Sequence, residues 1–314
     1  MNAFHRAATD HNLLLVQEML EIDAQLAEDK RLWINSESRY GETPLLISSM
    51  LKDSGAVDGK NPRRDEFIDF LLDNGALVNI TNKHTLWSPS HWAARHGDEV
   101  LLQKLLDKHA TPFTPDSKGF FPIDYAGKFE HWGIVHKLIE VSLKFFAELQ
   151  EKEKNPQLDP FRLNDPDTKQ LLETLRTRGL APERSDTLYD KADVFLLSPI
   201  YATSLLYWGS MVKTVTVEQI STILFQMESY PEAVTALPSQ LKRTTCHAVA
   251  LGGSTEKMEM IYDEFYERWK NTQATLNNIS FKLSKTSVHA PFKKEPKVKK
   301  RLNFEIPLQF RKLK

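Results

Sequence analysis

The sequence predicts a mostly α-helical chain built from repeated helix pairs. Apolar residues recur at helical spacing, as in Val217, Ile220, Ile223, Leu224 and Met227, which share one helical face. Proline stands in the first turn of candidate helices, behind Thr43, Ser88 and Asp165, where its missing N–H is harmless. Similar strings also return along the chain: Pro122 lies 33 residues after Pro89, and Pro44 lies 45 before it.

Each repeated unit opens on a similar string. The second reads Gly41-Glu42-Thr43-Pro44-Leu45-Leu46 and runs to Leu71-Leu72-Asp73-Asn74-Gly75-Ala76-Leu77-Val78-Asn79. It carries an insertion over Leu51–Asp65. The third reads Ser88-Pro89-Ser90-His91-Trp92-Ala93-Ala94-Arg95-His96-Gly97, then Leu105-Leu106, with His109-Ala110 in place of Gly-Ala. The fourth, from Gly119 to Ala126, has Phe121 and Asp124 where Thr and His are expected, and Ile134, Val135, Leu138 and Ile139 supply its second helix. The first is degenerate: Phe4-His5-Arg6-Ala7-Ala8, then Leu15-Val16 and Met19-Leu20, ending near Ile34-Asn35. Threonine or serine caps the first helix, paired alanines let helices approach closely, and Gly75 ends the second helix in a left-handed conformation.

These residues resemble the ankyrin repeat, with its G-x-T-P-L-H-x-A-A opening and V-x-x-L-L-x-x-G-A-x-x-N close. The resemblance covers residues 1–145. It implies a solenoid in which each unit buries its apolar face on a neighbour. It also implies that His91 braces the loops and that the eroded fourth unit acts as a cap.

Beyond Val141 the pattern fails. Residues 146–184 read as a charged, proline-bearing linker with one short helix, started by Asp165-Pro166 and stopped by Gly179. Residues 185–270 read as a second helical module. Thr216-Val217-Glu218-Gln219 is a capping box there, and Met258, Ile261, Tyr262, Phe265 and Trp269 mark a further helix. Ser198-Pro199-Ile200-Tyr201 and Thr245-Cys246-His247-Ala248 echo the repeat opening, so the module is either diverged ankyrin-like helix pairs or another helical fold. Val194–Val212 carries no charge but holds Ser, Thr, Gly and Pro, which suits buried core better than a membrane span.

Formal net charge is −1, from 41 Lys/Arg and 42 Asp/Glu. Residues 271–314 hold a local +9, leaving about −10 for the rest. The tail has scattered apolar residues and reads as extended. Its basic run, Lys293, Lys294, Lys297, Lys299, Lys300 and Arg301, suits an acidic surface: a protein, a nucleic acid or an anionic lipid. The run also looks like a nuclear localisation signal. Lys300-Arg301-Leu302-Asn303-Phe304 fits a cyclin-docking pattern, and a strap along the chain's own acidic body is the alternative.

A single cysteine, Cys246, excludes an internal disulfide and a Cys-rich zinc module and suggests a reducing, cytoplasmic setting. There is no H-E-x-x-H, no G-x-S-x-G and no phosphate-binding glycine loop. His131 and His136, five apart, do not share a helical face. No metal, cofactor or small-molecule substrate is expected. The reading is a non-catalytic scaffold within a larger assembly, holding protein partners on the repeats. The rival is an enzyme or bacterial effector with its catalytic part in 185–270, for which Cys246, His247, Tyr201 and Asp190 are the candidates.

Ankyrin arrays bind partners on a concave face, at positions the fold leaves free. On this chain the resemblance places Glu42, Trp87 and Phe120 just before the Thr position, and Ile47, Trp92 and Tyr125 just after the His position. Five of these six are apolar or aromatic, and an exposed stripe with Tyr40, His84, Arg95, Lys118 and Lys128 as its rim is expected. The alternative is a stripe covered from within.

Overall fold

The computed structural model describes residues 3–25, 29–51, 62–155, 157–158, 165–179, 199–226, 245–263 and 270. Among them the regular structure is helical: α1 (Ala3–Asp10), α2 (Leu13–Gln25), α3 (Lys30–Ile34), α4 (Pro44–Met50), α5 (Pro62–Asp73), α6 (Pro89–His96), α7 (Glu99–Asp107), α8 (Pro122–Lys128), α9 (Trp132–Lys154), α10 (Pro166–Thr177), α11 (Pro199–Met211), α12 (Val217–Gln226) and α13 (Thr245–Gly252). Residues 255–263 are also helical. Residues 1–265 form one unit and residues 266–314 a second, in which Lys270 alone is described. The basic run from Lys293 to Arg301 therefore lies outside the described residues.

Within the first unit the shorter helices form a row. α1 packs on α4, α4 on α6, α6 on α8, α8 on α11, and α11 on α13. Behind them α2 packs on α5, α7 on α9, and α9 on α12. One apolar core runs from Phe4 through Leu45, Ala93, Ala94, Ile123 and Leu205 to Ile261. The main core passes from Leu149 of α9 to Tyr201 of α11, while Leu171 and Leu175 of α10 belong to a separate small cluster. α11 packs directly on α8 and α9, and its uncharged sequence follows from that position: Tyr201 to Ser210 are all buried. No helix among the described residues is long and apolar enough to cross a membrane.

Local chemistry starts and stops these elements. The Thr43 hydroxyl accepts the Leu46 amide at 3.3 Å, and Asp165 accepts the Thr168 amide at 3.1 Å. Thr216 and Gln219 exchange amide-to-side-chain bonds of 2.9 and 3.2 Å, a complete capping box. Gly75 and His109 occupy matching left-handed positions, φ 87° and 63°. The histidine therefore carries a conformational cost of about 1–2 kcal/mol that glycine avoids.

Asparagines tie one loop to the next. Asn35 accepts the Leu77 amide at 2.7 Å and donates to the Gly75 carbonyl at 2.9 Å. Asn79 accepts the Thr111 amide at 2.8 Å and donates to the His109 carbonyl at 3.4 Å. The same residue type thus makes the same pair of bonds one unit further along.

Two boundaries differ from the sequence reading. Pro62–Asp65, assigned to the insertion, form the first turn of α5, because proline suits a helix start and Asp65 favours the first turn. Residues 52–61 lie outside the described residues. α9 continues to Lys154, past the expected linker start, because Phe146 and Leu149 keep its apolar side buried and no breaker precedes Asn155-Pro156. α10 packs against α3, with Leu32, Leu171 and Leu175 buried together and Arg31 bonded to Asp167 at 2.5 Å.

The contact of α11 with α8 depends on Gly127. A methyl group built there would overlap the Trp208 indole, which is itself buried and held by a hydrogen bond to Asp124. Gly127→Ala is expected to cost about 1–3 kcal/mol of unfolding free energy through overpacking, read as a lowered urea midpoint.

Candidate functional site

Where the units meet between α6 and α8, the turn at Asp116-Ser117-Lys118-Gly119 is built around one carboxylate. Asp116 is buried. Its Oδ1 accepts the Lys118 amide at 2.8 Å and the Phe120 amide at 2.9 Å, which shapes the turn. Its Oδ2 accepts Trp87 Nε1–H at 3.1 Å and the Tyr125 hydroxyl at 2.6 Å. Burial and the bond to Asp116 push the Tyr125 phenol well above its usual range.

Four aromatic side chains pack around that anchor. The Trp87 centroid lies 4.5 Å from Trp92 and 4.5 Å from Tyr125, and Phe120 lies 5.8 Å from Tyr125. Arg95 covers the group. Its guanidinium carbon stands 5.6 Å from the Trp87 ring, 6.0 Å from Trp92 and 5.2 Å from Phe129. Among the described residues no carboxylate forms an ion pair with Arg95.

The loops preceding α4, α6 and α8 are joined in series. The Lys83 amide donates to the Tyr40 carbonyl at 3.0 Å, and the Ser117 amide to the Thr85 carbonyl at 2.8 Å. The Tyr40 and His84 rings are 6.1 Å apart, and Arg39 lies 4.5 Å over the Tyr40 ring.

The expected exposed stripe is corrected by this geometry. Ile47 is 2% exposed, Trp87 8% and Tyr125 9%, so these three belong to the core. Ile47 falls between neighbouring helices of the row, and the two aromatic residues turn inward to reach Asp116. Trp92 and Phe120 are half-buried, while Tyr40, His84, Arg95, Lys118 and Lys128 are exposed as expected. The Trp92 indole nitrogen finds no acceptor. The surface is thus a charged rim over a packed aromatic base.

Two contributors escaped the sequence reading. Asp116 was marked by its place three residues before Gly119, a turn pattern in which aspartate commonly accepts amides of the turn. Phe129, just past α8 and exposed, carries one of the three contacts with Arg95 and had no motif to single it out.

A second buried network joins the units. His91 Nδ1 accepts the Ser88 amide at 3.1 Å, which leaves the proton on Nε2 to donate to the Phe120 carbonyl at 3.4 Å. Asp124 stands at the same helical position in α8. Its Oδ2 accepts the Phe121 amide at 2.9 Å, and its Oδ1 accepts Trp208 Nε1–H at 2.8 Å. The aspartate therefore makes the capping bond that the histidine makes, and it too reaches the next unit. Burial lowers the His91 pKa to about 4 and raises that of Asp124 to about 6.

Of the four candidates for catalysis, the side chains of Tyr201 and His247 are described. Tyr201 is fully buried, with its hydroxyl 2.7 Å from Ser142 Oγ, and His247 is exposed. The Cys246 side chain and Asp190 lie outside the described residues. His131 donates through Nε2–H to the Arg95 carbonyl at 3.1 Å, and His136 lies 4.0 Å from Glu140. No protein-family model and no curated protein matches this chain.

Asp116→Asn replaces one acceptor oxygen with a donor facing two donors. It is expected to cost about 2–3 kcal/mol by stranding buried groups, measured by chemical unfolding. The pH dependence of His91 has a definite sign. Its folded pKa is depressed, so its contribution is complete above about pH 6.5 and is lost as pH falls towards 4. Asp124, with a raised folded pKa, works oppositely: its contribution is complete below about pH 4 and is lost as pH rises towards 6. His91→Gln keeps a capping acceptor but does not titrate. Its destabilisation should shrink by about 3 kcal/mol between pH 6.5 and 4, measured as the difference between parallel denaturation series.

Proposed function

We propose that this chain is a non-catalytic binding protein of the ankyrin-repeat kind, and that it captures a protein partner on the face formed by the tips and the first helices. The observation that carries this reading is Arg95: an exposed guanidinium held over three aromatic rings, with no carboxylate partner, on a base fixed by Asp116. A cation over aromatic rings is partly desolvated and already oriented, which is how binding hot spots concentrate energy. The ankyrin reading is supported by the stacked first helices, the paired asparagine ties and the shared capping positions of His91 and Asp124.

On this reading α11 and α13 continue the row as diverged pairs, rather than forming a separate module. The basic tail supplies a second contact, with an acidic surface, supported by its local +9. A cytoplasmic setting, with the nucleus reachable through the basic run, fits a chain with one cysteine. Against the enzyme reading, the perturbed groups of residues 199–263 serve packing. Tyr201 bonds Ser142, and Lys257 donates to the Gly209 and Val212 carbonyls at 3.2 and 2.7 Å.

The test is quantitative affinity capture from cells with the full chain, Trp92→Ala/Arg95→Ala and the outer-helix control Lys144→Ala. The double variant should lose a defined set of proteins by about tenfold or more while the control retains them. Its unfolding midpoint should shift little, since Arg95 is exposed and Trp92 half-buried. Unchanged capture by the double variant would remove this face as the docking site.

A further inference from the structure

The charges of the first unit are sorted by location. On the outer helices and loops, several cations have acidic partners: Lys104 with Asp69 at 2.6 Å, Lys108 with Asp73 at 3.1 Å, Arg64 with Asp98 at 2.8 Å, and Lys144 with Glu148 at 3.7 Å. The tips and the first helices differ. Arg39, Lys83, Arg95, Lys118 and Lys128 are all exposed, and none of them forms an ion pair among the described residues. Along α1, α4, α6, α8, α11 and α13 the charged side chains are Arg6, Asp10, Arg95, Lys128 and the buried Asp124.

The acids near these cations are engaged or set aside. Asp116 is buried and saturated by four donors. Glu42, half-buried, accepts the Ser38 hydroxyl at 3.3 Å, and Glu37 is half-buried. Glu130, just past α8, and Asp10, at the end of α1, are exposed acids bordering the row that form no ion pair among the described residues.

Resting on the binding-face reading above, we propose that the occupant of this face is an extended acidic segment of a partner protein, carrying carboxylates interspersed with apolar side chains. The carboxylates would meet the tip cations Arg39, Lys83 and Lys118, with Arg95 as the central fork. A guanidinium over aromatic rings, weakly hydrated, suits bidentate pairing with a carboxylate. The apolar side chains would rest on Trp92, Phe120 and Phe129 between those charges.

The sign excludes the chain's own basic tail as the occupant, because its local +9 would meet five unpaired cations. A nucleic acid is disfavoured because the flat ring faces of Trp87 and Tyr125, which could stack on bases, are buried.

The experiment selects random displayed linear peptides on the immobilised full-length protein, then measures synthetic versions of the enriched sequences in solution. Enriched peptides should be rich in Asp and Glu with apolar residues between. Their affinity should fall with added salt and should drop by about tenfold or more in Lys83→Glu/Lys118→Glu, whose exposed positions leave folding intact by circular dichroism. Peptides that lose binding in Trp92→Ala but ignore the charge reversal would overturn the acidic partner and leave the binding face standing. Peptides indifferent to both variants, or no enrichment at all, would overturn both. Tighter binding of a mixed-sequence single-stranded oligonucleotide, lost on charge reversal, would assign the row to phosphate instead.

Discussion

The buried carboxylate of Asp116 is the interaction on which the described face depends. One side chain closes the turn through two backbone amides and pulls two aromatic side chains inward from neighbouring units. Either half alone would leave an oxygen short of donors, and a buried unpaired charge is costly. Four donors together make burial affordable, and they also fix where Trp87 and Tyr125 sit. Arg95 then has a rigid aromatic base to lie on. The order of cause runs from a turn residue to a packed cluster to an oriented cation.

Contacts between units rest on a repeated chemical task, more than on a repeated residue. In α6 and α8 the third residue accepts the N-cap amide and bonds across to the next helix pair, whereas α4 has Leu46 there and is capped by Thr43 alone. His91 does this with two ring nitrogens, and Asp124 with two carboxylate oxygens. His5, at the corresponding place in α1, reaches the Ser36 carbonyl at 2.9 Å. The partner across the gap changes with the chemistry: a histidine that donates meets a carbonyl, and an aspartate that accepts meets the Trp208 N–H. The replacement at position 124 and the tryptophan at position 208 are therefore one coordinated feature. Gly127 completes it by leaving room for the indole.

Most helix starts were legible because capping is local. Thr43-Pro44, Ser88-Pro89, Asp165-Pro166 and Thr216 to Gln219 each declare a first turn within four residues. The continuation of the row into α11 was less legible, since its evidence is the meeting of Trp208 with Asp124, 84 positions apart. The inward turn of Trp87 and Tyr125 was hidden for the same reason. Position in a repeat says which way a backbone faces, but a long polar-tipped side chain goes where its N–H or O–H finds an acceptor. Here that acceptor lies in a turn residue with no motif beyond its spacing to Gly119. The length of α9 was missed because charged residues resemble a linker, although Phe146 and Leu149 keep one side in the core.

The sorting of charge follows from how such a row is held together. Loops are tied to their neighbours through the backbone and through asparagine, as at Lys83 to Tyr40 and Asn79 to Thr111. Among the described residues the tip side chains add to these ties only through Lys83, which donates to the Arg39 carbonyl at 3.3 Å, and Arg39, which donates to the Tyr40 hydroxyl. On the outer helices, by contrast, cations such as Lys104 find carboxylates on the adjacent helix and gain modest stability there. If the tips were only solvated surface, chain composition alone would scatter acids among them, because the body outside the tail is acidic overall. The side chains at positions 39, 83, 95, 118 and 128 form no ion pair among the described residues. Five unpaired cations on the one face of an acidic body are a pattern that stability does not explain and that recognition of an oppositely charged partner does.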